Sequence, residues 1–329
     1  MGAFPSSAYI PVVQTAFWLE GLFSTEKYQQ LTASGVLDTG TLQETARKGD
    51  VVNIPRLVQA ADYVRVAVTD TSAAAGTRIS SNAGALPVLR DASINTLTKH
   101  DELRTGEDFS AMLSKSAGNK FAKRLIKQID AGLGGALTAM ATHTKNLGAN
   151  ALTVQAVRQA KAKLGDQGQN LHTMLIHSEV WYDLVYDLVQ NYKYMGVTSG
   201  KIIEQGQLDT IMGIRNIIIS DDLVESEGVT TKSAGDDVFT TYLLGEGSIY
   251  LAFQRLVEVE EFIDSRVPST LQYIKFGMDY VAGPRGFAFT GSSNPLDADY
   301  ANSSNWASRT EDHRNVMAAQ VHSYGGVYA

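Results

Sequence analysis

Hydrophobic side chains return at every fourth position along one long stretch of this chain. Phe109, Leu113, Ala117, Phe121, Leu125, Ile129, Leu133 and Leu137 hold a single line, and Met112, Ile126 and Met140 widen it. That spacing is the mark of an amphipathic helix and predicts one over 107–142. At 1.5 Å per residue it would run about 50 Å, well beyond an average globular helix. Gly118, Gly132, Gly134 and Gly135 interrupt the pattern, each expected to weaken it by about 1 kcal/mol relative to Ala.

Elsewhere the period shortens to two. Val64, Val66 and Val68 alternate with Arg65, Ala67 and Thr69, which predicts a strand. Thr71 to Gly76 reads as a turn-like tip. The segment from Ile79 to Leu97 returns, with Leu86, Val88 and Leu89 around Pro87. The simplest arrangement is a long two-stranded excursion. An isolated hairpin is marginal in water, so this one needs a docking surface, which another copy of the chain could supply. The N-terminal stretch poses the same problem. Pro5 and Pro11 are expected to keep it extended, and Phe17, Trp18, Phe23 and Tyr28 find no obvious partner surface nearby.

The middle of the chain reads as an α/β unit. Thr153 is placed to cap a helix ending near Leu164, with Gly165 behind it. A short apolar run, Met174-Leu175-Ile176, leads into a helix expected to be capped by Ser178, with Glu179 in its first turn. A second strand, Ile214 to Ile219, stops at Ser220-Asp221-Asp222. Tyr242-Leu243-Leu244 and Ile249-Tyr250-Leu251 flank two glycines, as a hairpin or a strand–turn–strand. Further strands follow: Leu256, Val257, Val259 and Phe262 interleaved with Glu258, Glu260 and Glu261, then Tyr273 to Phe276, Tyr280 to Ala282 and Phe287 to Phe289. From Ser292 the chain reads as a polar tail.

Composition narrows the function. The 329 residues are 44% hydrophobic and 19% charged, a folded protein and not a disordered one. The absence of cysteine removes disulfides, thiolate metal sites and a Cys nucleophile, and suits a reducing cytoplasm. A formal charge of −7 disfavours tight wrapping of nucleic acid unless positive charge is gathered locally. Met1 to Leu19 carries no charge, yet prolines and polar residues break it short of a membrane span, and no positive start marks an export signal. Gly2 with Ser6 fits a myristoylation pattern too short to outweigh an ordinary N-terminal arm.

Each candidate for chemistry lacks a part. Gly196 to Lys201 resembles a phosphate loop, but it is one residue short between glycines and carries Ile202 where a Ser or Thr would bind Mg²⁺. His177-Ser178-Glu179 has the spacing of zinc deaminases without their cysteines. His172 and His177, five apart, fall on opposite faces of a strand. Asp221-Asp222 and Glu225-Ser226-Glu227 lack the ligand spacing of a calcium loop, and no G-x-S-x-G elbow occurs. Glu258 and Glu260 share a strand face with no acid or base partner in view. No catalytic residue, metal site or cofactor is therefore assigned. Lys120, Lys123 and Lys127 do share one face of the long helix, beside Lys115 and Arg124 and against the single acid Asp130. They form either a solvated face or a surface for DNA or an acidic scaffold.

Three local patterns carry a family likeness: Met174-Leu175-Ile176-His177-Ser178, Met212-Gly213-Ile214 running into Ile217-Ile218-Ile219-Ser220-Asp221, and Tyr242-Leu243-Leu244-Gly245. In order and spacing, and with the arm, excursion and long helix before them, they resemble the tailed-phage major capsid proteins of the Hong Kong 97-type fold along nearly the whole chain. The resemblance implies an α+β fold. Its parts would be an N-terminal arm (1–49), an extended β-hairpin loop or E-loop (50–98), a peripheral domain with a spine helix (99–147), an axial α/β domain (148–255), and peripheral-domain strands with a C-terminal tail (256–329). It implies no enzymatic activity. It implies an icosahedral or prolate head shell enclosing a DNA genome, built in the host cytoplasm and found in the virion. The partners would be copies of the chain itself in pentamers and hexamers, with scaffolding, portal and decoration proteins as candidates. Packaged double-stranded DNA would be contacted non-specifically, and no membrane is involved. An encapsulin-type nanocompartment shares the fold and stands as the alternative; a nucleotide-binding enzyme is the distant one. Some members of the family crosslink through a loop Lys and an Asn of a neighbouring subunit. From Val51 to Thr98 this chain has no Lys. The loop instead carries Arg56, Arg65, Arg78 and Arg90 against Asp62, Asp70 and Asp91. The expectation is a shell without covalent crosslinks, held there by apolar contact and Arg–carboxylate pairs.

Overall fold

A computed structural model of the chain describes residues 9–39, 51–57, 81–98, 109–192, 213–221, 238–264, 271–309 and 313–324. Two N-terminal helices, α1 (Tyr9–Phe23) and α2 (Glu26–Ala33), precede the long helix α3 (Phe109–Ala139). The 31 residues of α3 make it about 46 Å long. Its apolar line, from Phe121 through Leu125, Ile129 and Leu133 to Leu137, is buried in the larger of two cores.

The N-terminal stretch departs from its expected extended form. Pro11 lies in the first turn of α1, where the missing N–H would have had no helical partner anyway. The two helices α1 and α3 touch backbone to backbone. A Cβ on Gly21 would lie 2.2 Å from the Lys115 carbonyl oxygen, and one on Gly118 would lie 2.1 Å from that of Trp18. This contact buries Trp18 and Leu22, with the Trp18 ring 5.4 Å from Phe121. Trp18 and Tyr28 are thus covered by their own chain, and of these aromatics Phe23 stays half exposed.

Two sheets flank α3. The first runs β1 (Leu37–Thr39), β9 (Ile249–Asp264), β10 (Leu271–Pro284), β4 (Leu89–Thr98). Along β10, Ile274, Phe276, Met278 and Tyr280 are buried in the core shared with α3, the period-two outcome of a sheet wet on one side. On the wet side Lys275 pairs with Glu260 across the strands at 2.8 Å, so Glu258 and Glu260 stand on a polar strand face.

The second sheet runs β5 (Thr144–Ala151), β13 (Ala318–Tyr324), β8 (Val238–Gly245), β6 (Leu171–Ile176), β7 (Asn216–Ile219). One face meets the larger core through Leu175, Ile218, Tyr242 and Leu244. The other meets helices α4 (Val154–Ala162) and α5 (Ser178–Tyr192) through Met174, Ile176, Leu243 and Val321. Burial on both faces is why these strands read as unbroken apolar runs. Thr153 caps α4 by accepting from Ala156 N–H at 3.2 Å, and Asp187 of α5 accepts from Val154 N–H at 2.9 Å.

Several expected placements differ. The excursion expected over 50–98 parts at Val88: β2 (Val51–Leu57) and β3 (Ser81–Pro87) form a separate two-stranded ladder, while β4 belongs to the first sheet, paired with β10. The Val64 strand and its tip lie outside the described residues. Ser178 is the first residue of α5 and not its cap; His177 Nδ1 stands 3.3 Å from Glu179 N–H. The turn after Gly245 carries the chain from one sheet to the other, so β8 and β9 make a strand–turn–strand and not a hairpin. The stretch from Ser292 read as a polar tail holds helix α6 (Asp297–Ala301), strand β12 (Trp306–Ser308), which pairs with the expected strand β11 (Phe287–Phe289), and β13, an interior strand.

Candidate assembly interface

The base of the excursion is anchored in the chain itself, with Leu86, Val88 and Leu89 in the larger core. Arg56 stands on β2 opposite Asn82 of β3. Asp62, Arg65, Asp70 and Arg78 lie outside the described residues. Arg90 is half exposed, its Nε 3.9 Å from Asp279 of the neighbouring strand. The Asp91 carboxylate accepts from the Tyr280 hydroxyl at 2.7 Å and from Arg124 at 3.3 Å. The two loop residues that the structure describes with their side chains therefore meet partners within the chain, and no pair among the loop residues named from the sequence is brought together among the described residues.

Arg124 also leaves the basic stripe. Its guanidinium grips Asp297 in a fork, with both bonds at 2.5 Å, and Gln128 adds a third at 2.7 Å. The Arg124 bonds hold the Asp297 carboxyl below the usual carboxylate range, against an opposing push from burial. This cluster ties α3 to β4, β10 and α6. Spacing on the helix gave no sign of it, because Asp91 and Asp297 are remote in sequence. Lys115 likewise pairs with Glu20 of α1 at 2.7 Å. Lys120, Lys123 and Lys127 remain exposed on α3, an open row of positive charge. Among the described residues, Tyr182 and Tyr186, one turn apart on α5, are exposed aromatics that the sequence did not single out.

The described residues place no three His, Asp or Glu side chains to hold a metal. His172 Nδ1 lies 3.4 Å from the Leu244 carbonyl oxygen. His177 stacks on Phe239 at 4.2 Å, its Nε2 3.9 Å from Asp221. Asp221 accepts hydrogen bonds from Ser178 at the start of α5, which hold its carboxyl below the ordinary value. These groups finish a helix end. The Gly196–Lys201 loop lies outside the described residues.

A long helix against a strand sheet, joined through a turn to a second sheet backed by two helices, is the architecture of Hong Kong 97-type shell proteins of tailed phages. The chain matches the Gp13-like family model, described as major capsid protein 13-like, over residues 61–317, and it belongs to that family. Solved structures agree in fold. The capsid of Ralstonia phage GP4 is similar with a TM-score of 0.60 at 9% identity, over 89% of this chain and 90% of that one. The capsid asymmetric unit of cyanophage Pam1 gives 0.59 at 13%, over 91% and 92%. The capsid of Myoviridae phage XM1 gives 0.52 at 11%, over 90% and 92%. No curated protein matches the chain in sequence. The protein is a head-shell subunit of a tailed phage, a structural component of the virion that assembles with itself. The nanocompartment reading is not favoured.

Proposed function

We propose that this chain closes into pentamers and hexamers without covalent crosslinks, in the host cytoplasm, around double-stranded DNA. The observation that carries the first part is the lysine-free run from Val51 to Thr98, which offers no amine for an isopeptide bond. Scaffolding, portal and decoration proteins are the further partners, and the chain performs no catalysis. Its working parts are the five segments named from the sequence, with β4 moved to the peripheral sheet and β13 to the axial sheet. Arg56, Arg65, Arg78, Asp62 and Asp70 remain the loop's contact residues toward neighbours, whereas Arg90 and Asp91 serve their own chain. Denaturing electrophoresis of mature heads tests this reading: a single band of monomer mass is expected, and a ladder of covalent oligomers overturns it.

Lys120, Lys123 and Lys127 face the packaged DNA in this reading. Arg124 and Lys115 are already neutralised, so these three are the charges of the stripe left for phosphate. Changing all three to Glu is expected to flatten the salt dependence of subunit binding to duplex DNA, with the log–log slope falling by about 0.9 for each phosphate no longer neutralised. Packaged DNA per head should fall with it. Unchanged slope and unchanged packaging would sink the assignment; an unchanged slope with weakened scaffold binding would move the surface to the scaffold.

A further inference from the structure

Strand β13 has two unlike faces. Ala319 and Val321 enter the apolar core beneath α4 and α5. The other face, made by Ala318, Gln320 and His322, is held largely by hydrogen bonds. His143, on the turn between α3 and β5, places Nδ1 2.6 Å from the Ala318 carbonyl oxygen. Gln320 Nε2 donates to Thr138 at 3.0 Å and to Thr144 at 2.9 Å. His322 Nδ1 lies 3.0 Å from the hydroxyl of Thr240, its register partner on β8.

Burial without a counter-charge favours the neutral form of both imidazoles. A carbonyl oxygen can only accept, so Nδ1 of His143 carries the proton. Its Nε2 is then a bare acceptor, buried and without a partner at ordinary hydrogen-bond geometry. Burial opposes protonation of His143 more than the backbone of Ala318 and of His313 eases it. The charged groups facing His143 are His313, whose ring stands edge-on at 5.7 Å, and Lys163. Both are basic, and Lys163 in turn faces Lys145. None supplies a counter-charge. His322 stands between Thr240 on β8 and Asn146 on β5, both uncharged, and burial alone depresses its basicity.

The geometry points to a proton-gated latch: neutral His143 and His322 hold β13 in its sheet, and protonating them frees that strand while α3 and the four-stranded sheet stay folded. The sign follows from linkage. Burial lowers both rings below their ordinary value of about 6.5, so the folded state excludes protons that the opened state takes up. The stability from neutral rings is complete above that ordinary value. It is lost as pH falls from there through the depressed folded values. An acid response would then reside in a strand of each subunit, independent of contacts between subunits.

Hydrogen exchange on the purified full-length chain and on assembled heads, from about pH 7.5 down to about pH 5, tests the latch. Protection of β13 amides is expected to fall by up to about tenfold per pH unit for each histidine, with β5 and β8 following and α3, β9 and β10 steady. His143→Asn keeps an N–H for the Ala318 carbonyl, and His322→Asn keeps an acceptor for Thr240. Neither titrates, so the double variant is expected to hold β13 protection flat. A double variant that still loses β13 protection overturns the latch. So does equal loss across α3 and β10, or wild-type β13 protection indifferent to pH. If the double variant fails to fold, imidazole NMR of the wild type decides. Rings that gain a proton only as β13 opens support the latch, and rings that titrate near the ordinary value with β13 still protected defeat it.

Discussion

Alanine at position 118 is expected to destabilise the protein by about 2–3 kcal/mol, by overpacking a contact with no spare room. Helix propensity alone predicts the opposite sign, a gain of about 1 kcal/mol over glycine. The difference lies in what the new Cβ meets: the Trp18 carbonyl oxygen at 2.1 Å and the Leu22 nitrogen at 2.9 Å. Both are backbone atoms, so no rotamer change relieves the clash and α1 must move as a body. Moving it uncovers Trp18 and Leu22, which are buried against α3. Gly21→Ala presses the same contact from the other side, with the Lys115 carbonyl oxygen at 2.2 Å. Once α1 has been displaced a second clash adds little, so the double variant should cost less than the sum of the singles. Urea unfolding gives the free energies, and limited proteolysis of 9–33 reports whether α1 has left α3. A stabilised Gly118→Ala variant with an uncut N-terminus would contradict the crossing.

Trp306→Ala is expected to cost about 3–5 kcal/mol, the range for emptying a buried aromatic site. Trp306 is one of the side chains that pins the C-terminal region to α3. Its ring packs edge-on against Phe289 at 5.2 Å and Tyr300 at 5.0 Å, and its Nε1–H donates to the Tyr300 carbonyl at 2.8 Å. It sits so close over Gly135 that an added Cβ there would come within 2.7 Å of Nε1. Trp306→Phe keeps a ring in the site and loses the hydrogen bond, for about 1 kcal/mol of that plus a smaller packing loss. Thermal melting orders the two variants, and the yield of closed heads should follow the same order. Equal melting of Trp306→Ala and the parent would show that the C-terminal region is pinned to α3 by other side chains.

These two sites show what the sequence could and could not convey. The course of α3 was legible because one face of one helix is buried along its length: 107–142 was expected and Phe109–Ala139 is found. Met174-Leu175-Ile176 and Tyr242-Leu243-Leu244 were legible because both faces of their sheet are covered. Gly118 and Gly135 read as weak points in the helix, since periodicity carries no information about a second chain segment arriving at its surface. Strand β13, AAQVHSY, was missed because hydrogen bonds hold one of its faces, leaving no run of large apolar residues. Tyr300 and Trp306 were passed over as isolated aromatics in polar surroundings. Charge patterns were legible only as charge. Nothing in Arg90, Asp91 or Arg124 tells an internal pair from one between subunits, and in the structure each has a partner within its own chain.

The placement of β13 also sets an order of events at the ribosome. Strands β5 and β8 lie on either side of β13 and do not pair with each other. Residue 144 leaves the ribosome well before residue 318, by roughly 10–35 s at ordinary rates of synthesis. Throughout that interval the edge strand β5 lacks its neighbour β13, and a chain cut short before Ala318 leaves it so. Completion of the second sheet is thus timed by strand order: β5 joins β8 through β13 only after translation has passed the last strand of the sheet.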